Sequence, residues 1–351
     1  GILEARHAFG VVNLIRLPMG LFTFLGPLAV VLSSPAPQLD SIAWVLVAGR
    51  VISCIAHAYY AWQILPRDRS ALSWHPGFLK TLFVSGGWMT VSNVISPFMG
   101  YVDRFVIGAA VSASAVAYYA TPQELVTKLW VVPGALTAVL FPAFAAQMAR
   151  ADDQTWGLFK KAVYWLFLAL LPVTVALTLF AHELLTIWIN PVFADHGAIL
   201  LQIFAIGILI NCIAHIPFTL IQSAGAARLT AFAHIIQLPI YLIILWWLTS
   251  THGTLGAAIA WLIRMILDNL LMFAMCSTYL KRSAKSLINY KISILILITA
   301  LGFSGALIPS TIVKILWVIF IAGISISMLL ISWKADRQFN GLMNLKSISK
   351  T

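Results

Sequence analysis

"ILLQIFAIGILINCIAHIPFTLIQ", Ile199 to Gln222, runs without one Asp, Glu, Lys or Arg. A helix needs about 20 predominantly apolar residues to cross the hydrocarbon core of a bilayer, and this stretch supplies them. Nine other stretches read the same way: Val11–Leu32, Ile42–Leu65, Thr81–Ser112, Ala115–Phe144, Ala162–Ala181, Leu229–Leu248, Leu255–Leu280, Ile292–Ile308 and Ile312–Trp333. The third and fourth spans in chain order exceed a simple crossing, which predicts tilt or breaks. Over the whole chain 61% of residues are hydrophobic, 9% are charged, and the mean hydropathy is +0.95. A soluble domain carries roughly 25% charged residues, so a water-soluble class is excluded. The apolar runs are continuous rather than alternating, which excludes a membrane β-barrel. The expected fold is an all-α, polytopic membrane helical bundle with about ten crossings.

The connections between spans alternate in charge. Arg6; Arg67, Arg69 and Lys80; Arg150, Lys160 and Lys161; Arg228; Lys281, Arg282, Lys285 and Lys291; and Lys334, Arg337, Lys346 and Lys350 hold most of the 22 lysines and arginines. The intervening connections, "SSPAPQLD", "SAS", "HELLTIWINPVFADHGA", "STHG" and "PS", hold none. Lys and Arg accumulate in cytoplasmic loops, so both termini are expected in the cytoplasm. The net charge of +11 is scattered between apolar runs and forms no basic stripe with surface aromatics, so no nucleic-acid partner is expected. Cys54, Cys212 and Cys276 lie far apart inside apolar runs and read as buried thiols, not as a metal site or disulfide framework. The chain begins at Gly1 with no cleavable signal before the first span and reads as a fragment of a longer protein.

Catalytic signatures such as HExxH, GxGxxG, a P-loop or GxSxG do not occur. The chemistry must therefore be sought among polar side chains inside the spans. His57, His215 and His234 are read first as packed or interfacial residues, with proton carriage the alternative. Many of the 15 prolines fall within spans, where each removes a backbone hydrogen bond and invites a kink; this fits a transporter with bending helices. An internal repeat is visible when "IRLP" (Ile15–Pro18) is laid over "IQLP" (Ile236–Pro239), which brings Arg50 onto Arg264 in the following helix. Both copies have the same expected orientation and so form a parallel repeat.

Arg50 and Arg264 fall near the middle of their spans. A charge there costs at least about 2.5–3.5 kcal/mol and normally faces a bundle interior or a wet cavity. We read them as two cations lining a cavity for an anionic substrate, against the plainer alternative of buried arginines neutralised by carbonyls or distant acids. Arg264 has Asp268 one turn away, at pairing distance along a helix, whereas Arg16 lies near enough to the cytoplasmic surface to snorkel. "GYVDRFVIG" (Gly100–Gly108) places Asp103 and Arg104 side by side. Adjacent helical residues point about 100° apart, so each needs its own partner. The third and fourth spans turn near Ser112–Ser114, which puts Arg104 level with Glu124 and leaves Asp103 to Lys128 or a residue elsewhere.

"GGWMTVSNVISPFMGYVDRFVIGAAVSASAVAYYATPQELVTKLWVVPGALTAVLFPAFA" resembles the seventh and eighth helices of bacterial polysaccharide flippases. These are the O-antigen type lipid-linked oligosaccharide translocases of the multidrug/oligosaccharidyl-lipid/polysaccharide exporter superfamily. The Asp-Arg-Phe of "DRFVIG", the Tyr-x-x-Pro of "YYATP", "VLFP" ending at Pro142, and "IQSAGAARLTAFAHIIQLPIY" carry the likeness. The resemblance implies two six-helix bundles facing a central cavity, followed by two appended helices. Residues 1–65 then form the end of an incomplete first bundle, 81–280 the second six-helix bundle, and 292–333 the appended pair. Segments 66–80 and 281–291 are cytoplasmic linkers, and 334–351 is a cytoplasmic tail. Four helices would precede Gly1, and this length alone should not transport.

What the resemblance implies for function is translocation of an undecaprenyl-diphosphate-linked oligosaccharide across the inner membrane by alternating access, without a covalent step. No cofactor or metal is called for. Substrate binding is expected at Arg50, Arg264 and Lys128, and a gate or inter-helix latch at Asp103, Arg104, Glu124 and Asp268. The implied partners are the lipid-linked oligosaccharide, membrane lipids and polysaccharide polymerase machinery. Alternatives are a drug or small-cation exporter of the same superfamily, a peptidoglycan-precursor flippase, or an integral-membrane ligase or polymerase using Glu183 or Asp195. Basic residues outnumber acids within the spans, which disfavours a cationic substrate.

Overall fold

The computed structural model describes residue 3 and residues 8–33, 38–65, 76–149, 154–280, 290–305 and 310–348. Among them there is no strand. In lipid every backbone N–H and C=O must be satisfied within the segment, and an apolar chain meets that demand by forming helices. Seven described stretches are long and apolar enough to cross a membrane: Gly10–Ser33, Asp40–Ile64, Ala113–Met148, Thr155–Leu179, Pro191–Ser223, Ala227–Tyr279 and Thr311–Lys334. The protein is an all-α, multi-pass membrane bundle. The predicted linkers 66–80 and 281–291 lie largely outside the described residues, whereas the backbone of the predicted tail 334–351 continues the last helix as far as residue 348.

The chain divides into two compact units, Gly1–Pro76 and Gly77–Thr351. In the first, α1 (Phe9–Ser33) packs along α2 (Leu39–Ile64), with Pro18 and Pro27 inside α1. Arg50 lies on α2 and is exposed.

The second unit opens with α3 (Pro76–Ala110) and α4 (Ala113–Thr127). Their turn is closed by Ser112, whose hydroxyl caps α4 by accepting from the Ala115 amide at 3.1 Å. A 3₁₀ turn at Lys128–Trp130 then separates α4 from α5 (Val131–Ala149), which is the break expected in the long fourth span. Next come α6 (Gln154–Leu179), the short α7 (Ala181–Trp188) and α8 (Pro191–Ser223). The stretch expected as an outer loop, His182–Ala198, is thus mostly helical. Asn190 caps α8 by accepting from the Phe193 amide at 2.8 Å, and Pro191 stands where a helix needs no N–H.

Helix α8 is the axis of this unit, packed by α4, α5, α6, α7 and α9. Helix α9 (Ala227–Tyr279) is interrupted at Gly253, whose φ of 59° favours glycine. Gln237 and Asp268 are 31 positions apart yet hydrogen-bond at 3.2 Å. A straight helix would hold them about 46 Å apart, so the two arms of α9 lie side by side and supply two crossings. Trp261 of the second arm fits against Gly207 of α8, where an added Cβ would collide with the indole. Phe204 meets Trp261 and Tyr119 edge to face, with ring centres 5.2 and 5.0 Å away. This aromatic chain ties α4, α8 and α9 together.

The last helices, α10 (Tyr290–Ser304) and α11 (Thr311–Ile348), dock on α6. Trp165 donates to Ser332 Oγ at 3.1 Å, Trp317 donates to the Leu301 carbonyl at 3.1 Å, and Lys314 donates to Glu183 at 2.7 Å.

Candidate functional site

A cavity of about 720 Å³ opens among α3, α4, α8 and α9. Five sequence-predicted residues line it: Arg104, Glu124, Lys128, Arg264 and Asp268. His215 and His234 join them, whereas His57 is turned onto its own helix, Nδ1 lying 2.8 Å from the Ser53 carbonyl. Arg50 belongs to the other unit.

Asp103 sits behind the cavity wall and is 0% exposed. Three donors meet its carboxylate: Tyr119 Oη at 2.7 Å, Gln123 Nε2 at 2.8 Å and the Arg104 amide at 2.8 Å. Of the two alternatives left open for Asp103, the pairing with Lys128 is not formed and residues elsewhere hold the carboxylate. Tyr119 and Gln123 are one turn apart and share the stripe of α4 facing Asp103, while Glu124 lies about 100° round the helix. Arg104 accordingly takes the next stripe. Its Nη1 meets Glu124 Oε1 at 3.0 Å, its Nη2 donates to Gln123 Oε1 at 3.3 Å, and its guanidinium lies 5.0 Å from the Tyr101 ring centre. Gln123 thereby bridges the two neighbours, donating to Asp103 and accepting from Arg104. Tyr119 and Gln123 are the residues the sequence reading missed, although their spacing was its available signal.

The expected intrahelical pair of Arg264 and Asp268 is also absent. Asp268 is taken by the other arm of α9, with Gln237 Nε2 at 3.2 Å and His234 Nε2 at 3.6 Å. Arg264 is 8% exposed, stands 5.2 Å from the Tyr241 ring centre, and leaves its buried Nε without a hydrogen-bond partner in the protein. Neither Arg264 nor Lys128 forms an ion pair within 4.0 Å among the described residues. The cavity thus keeps two cations uncommitted, while its two carboxylates are engaged. Such a site attracts an anion: charge-assisted hydrogen bonds from Arg are strong, and the guanidinium fork matches phosphate geometry.

The acids that an enzymatic reading requires lie elsewhere. Glu183 is bound to Lys314, and Asp195 lies 3.1 Å from His182 Nε2; neither lines the cavity. Burial pushes the Glu183 carboxyl up, but the hydrogen bond and charge of Lys314 outweigh it and hold the group below its ordinary value. Among the described residues no group of three or more His, Cys, Asp or Glu is placed to hold a metal.

Comparison with known proteins adds an independent line. Residues 21–195 match the family described as "Polysaccharide biosynthesis protein". Over 286 residues, 79% of this chain, the sequence is 35% identical to the "Putative O-antigen transporter" of Shigella flexneri. The chain spans 66% of that relative's length. No solved structure gives a significant match. The helical bundle and these matches agree: the chain belongs to the polysaccharide biosynthesis family of membrane proteins.

Proposed function

We infer that the protein moves an undecaprenyl-diphosphate-linked oligosaccharide from the cytoplasmic to the outer leaflet of the bacterial inner membrane. The observation that carries this reading is Arg264, a buried cation on the wall of a 720 Å³ cavity with no acid within pairing distance. Holding a charge without a close counter-ion inside the membrane costs at least about 2.5–3.5 kcal/mol, and an anionic headgroup would offset that cost. On this reading Lys128 and Arg264 bind the diphosphate, and Arg50 of the first unit is a further candidate cation.

Polysaccharide transport in general is supported by the family; the lipid-linked substrate and its flipping are this proposal. On this reading both ends of the chain face the cytoplasm, and the polymerase machinery receives the product outside. Arg104–Glu124, with Asp103 behind, latches α3 to α4, and Asp268 latches the two arms of α9. Alternating access then requires these contacts to differ between inward- and outward-open states.

Complementation tests the reading. In a strain lacking the gene, full-length R264A, K128A or R50A should insert normally and fail to restore surface polysaccharide. Normal export by both R264A and R50A at wild-type protein levels would remove the substrate-site assignment.

A further inference from the structure

The cavity is chemically two-sided, and three contacts set its depth scale. Arg104 meets Glu124, Trp130 Nε1 donates to Asn211 Oδ1 at 2.8 Å, and Asn269 Nδ2 donates to the Ile210 carbonyl at 2.6 Å. The last contact brings Asp268 to the depth of Asn211. Trp130 lies about 9 Å along the chain from Glu124, and Ser96 about 12 Å from Arg104, so Trp130, Asn211, Ser96 and Asp268 share one level. One turn deeper on α3 are Asn93 and Ser92.

Arg104, Lys128 and Arg264 lie on the Glu124 side of the Trp130 level, Arg104 about 12 Å from it, Arg264 about one turn, and Lys128 two residues before Trp130. At the Trp130 level the cation partners give way to neutral donors and acceptors around one carboxylate. Trp130 lines the cavity, is 38% exposed, and is pinned by Asn211 in a 3₁₀ turn that fixes the ring's direction. With its oxygen accepting from Trp130, Asn211 has its amide N–H groups uncommitted. Ser92 is 1% exposed, and its hydroxyl has no hydrogen-bond partner in the protein although the residue lines the cavity. Leaving such a group unsatisfied costs about 1–3 kcal/mol, a cost that a ligand hydroxyl reaching it would offset. Asp268, held by Gln237 and His234, repels a second anion but accepts hydrogen bonds from hydroxyls.

We propose that Trp130, Asn211, Ser92, Asn93 and Ser96, with Asp268 opposite, form a saccharide subsite distinct from the cationic diphosphate subsite. A sugar presents an apolar C–H face to the indole and hydroxyls to the amide, serine and carboxylate groups. A diphosphate offers neither an apolar face nor donors for Asp268. The inference rests on the transport reading, and it assigns sugar specificity to the cavity wall instead of to loops outside the bundle.

The test uses the full-length protein in nanodiscs. Binding of undecaprenyl diphosphate carrying an O-antigen repeat oligosaccharide is compared with binding of undecaprenyl diphosphate alone. Wild type should bind the sugar-bearing lipid more tightly. W130A and N93A should each weaken that binding about tenfold, the worth of a hydrogen bond or ring contact, and change binding of the bare lipid by less than about twofold. W130F keeps a ring and loses the bond to Asn211, so it should fall between, which guards against a folding artefact. R264A should weaken both lipids. Equal losses for both lipids in W130A and N93A, no loss for either, or equal wild-type binding of the two lipids would each overturn the subsite. A wild type that binds neither lipid would instead overturn the transport reading.

Discussion

Asp103→Ala is the substitution whose cost is best defined by geometry. Asp103 is 0% exposed and accepts from Tyr119, Gln123 and the Arg104 amide at 2.7–2.8 Å. Removing the carboxylate leaves two buried side-chain donors without acceptors, each a loss of about 1–3 kcal/mol. Against that stands relief from burying a carboxylate, which is expensive even when well bonded. The net expectation is on the order of 2–5 kcal/mol of destabilisation. Asp103→Asn should cost less, because its carbonyl oxygen still accepts one bond, and Tyr119→Phe should cost about 1.5–3 kcal/mol, the worth of one bond to a charged group. Unfolding titrations with dodecyl sulfate in mixed micelles give these differences. Asp103→Ala within about 0.5 kcal/mol of wild type, the range of ordinary surface changes, would show that the cluster does not hold α3 to α4.

Further expectations follow from other contacts. Gly207→Ala places a methyl group against the Trp261 indole and should destabilise by about 1–3 kcal/mol in the same titration, with Gly134→Ala, where no atom lies within 4 Å, as the control. The Arg104–Glu124 pair is 24% and 57% exposed, so a double-mutant cycle should give a coupling of about 0.2–1 kcal/mol; zero coupling would leave the latch unsupported. Because the folded Glu183 carboxyl is held below its ordinary value, its bond to Lys314 contributes stability above the unfolded value. That contribution is lost as pH falls through the folded one. Protection factors at the start of α11, intrinsic exchange rates divided by the observed rates at each pH, should therefore fall at acid pH in wild type, while Glu183→Gln should show low protection at every pH.

The bundle was readable because its signal is redundant: a run such as Ile199–Gln222 has one stable solution in lipid. The turn expected near Ser112–Ser114 is where the hairpin forms, and excess span length announced tilt or a break in the fourth span without placing it at Lys128–Trp130. The loop expected at His182–Ala198 failed because polarity was allowed to outweigh local capping; "NPVF" is a helix start, and Asn190 and Pro191 use it as one. Within the site, helical geometry correctly separated Asp103 from Arg104. It did not identify Tyr119 and Gln123, whose role depends on which stripe of α4 rotates toward α3. The Arg264–Asp268 spacing misled for a related reason. Helix spacing reports what lies along one helix, and Asp268 is claimed by His234 and Gln237 across the fold at Gly253.

The decisive experiment is a flipping measurement on the reconstituted full-length protein. Proteoliposomes loaded with a fluorescent undecaprenyl-diphosphate oligosaccharide are treated with an impermeant quencher, and the fraction of label reaching the outer leaflet is followed over time. Wild type should transfer label well above protein-free vesicles. Arg264→Ala, reconstituted at equal density, should fall to the protein-free level, while Arg264→Lys, which keeps the charge but loses the guanidinium fork, should retain part of the rate. Wild-type transfer no faster than in empty vesicles, or full transfer by Arg264→Ala, would show that this cavity is not the path of the lipid headgroup.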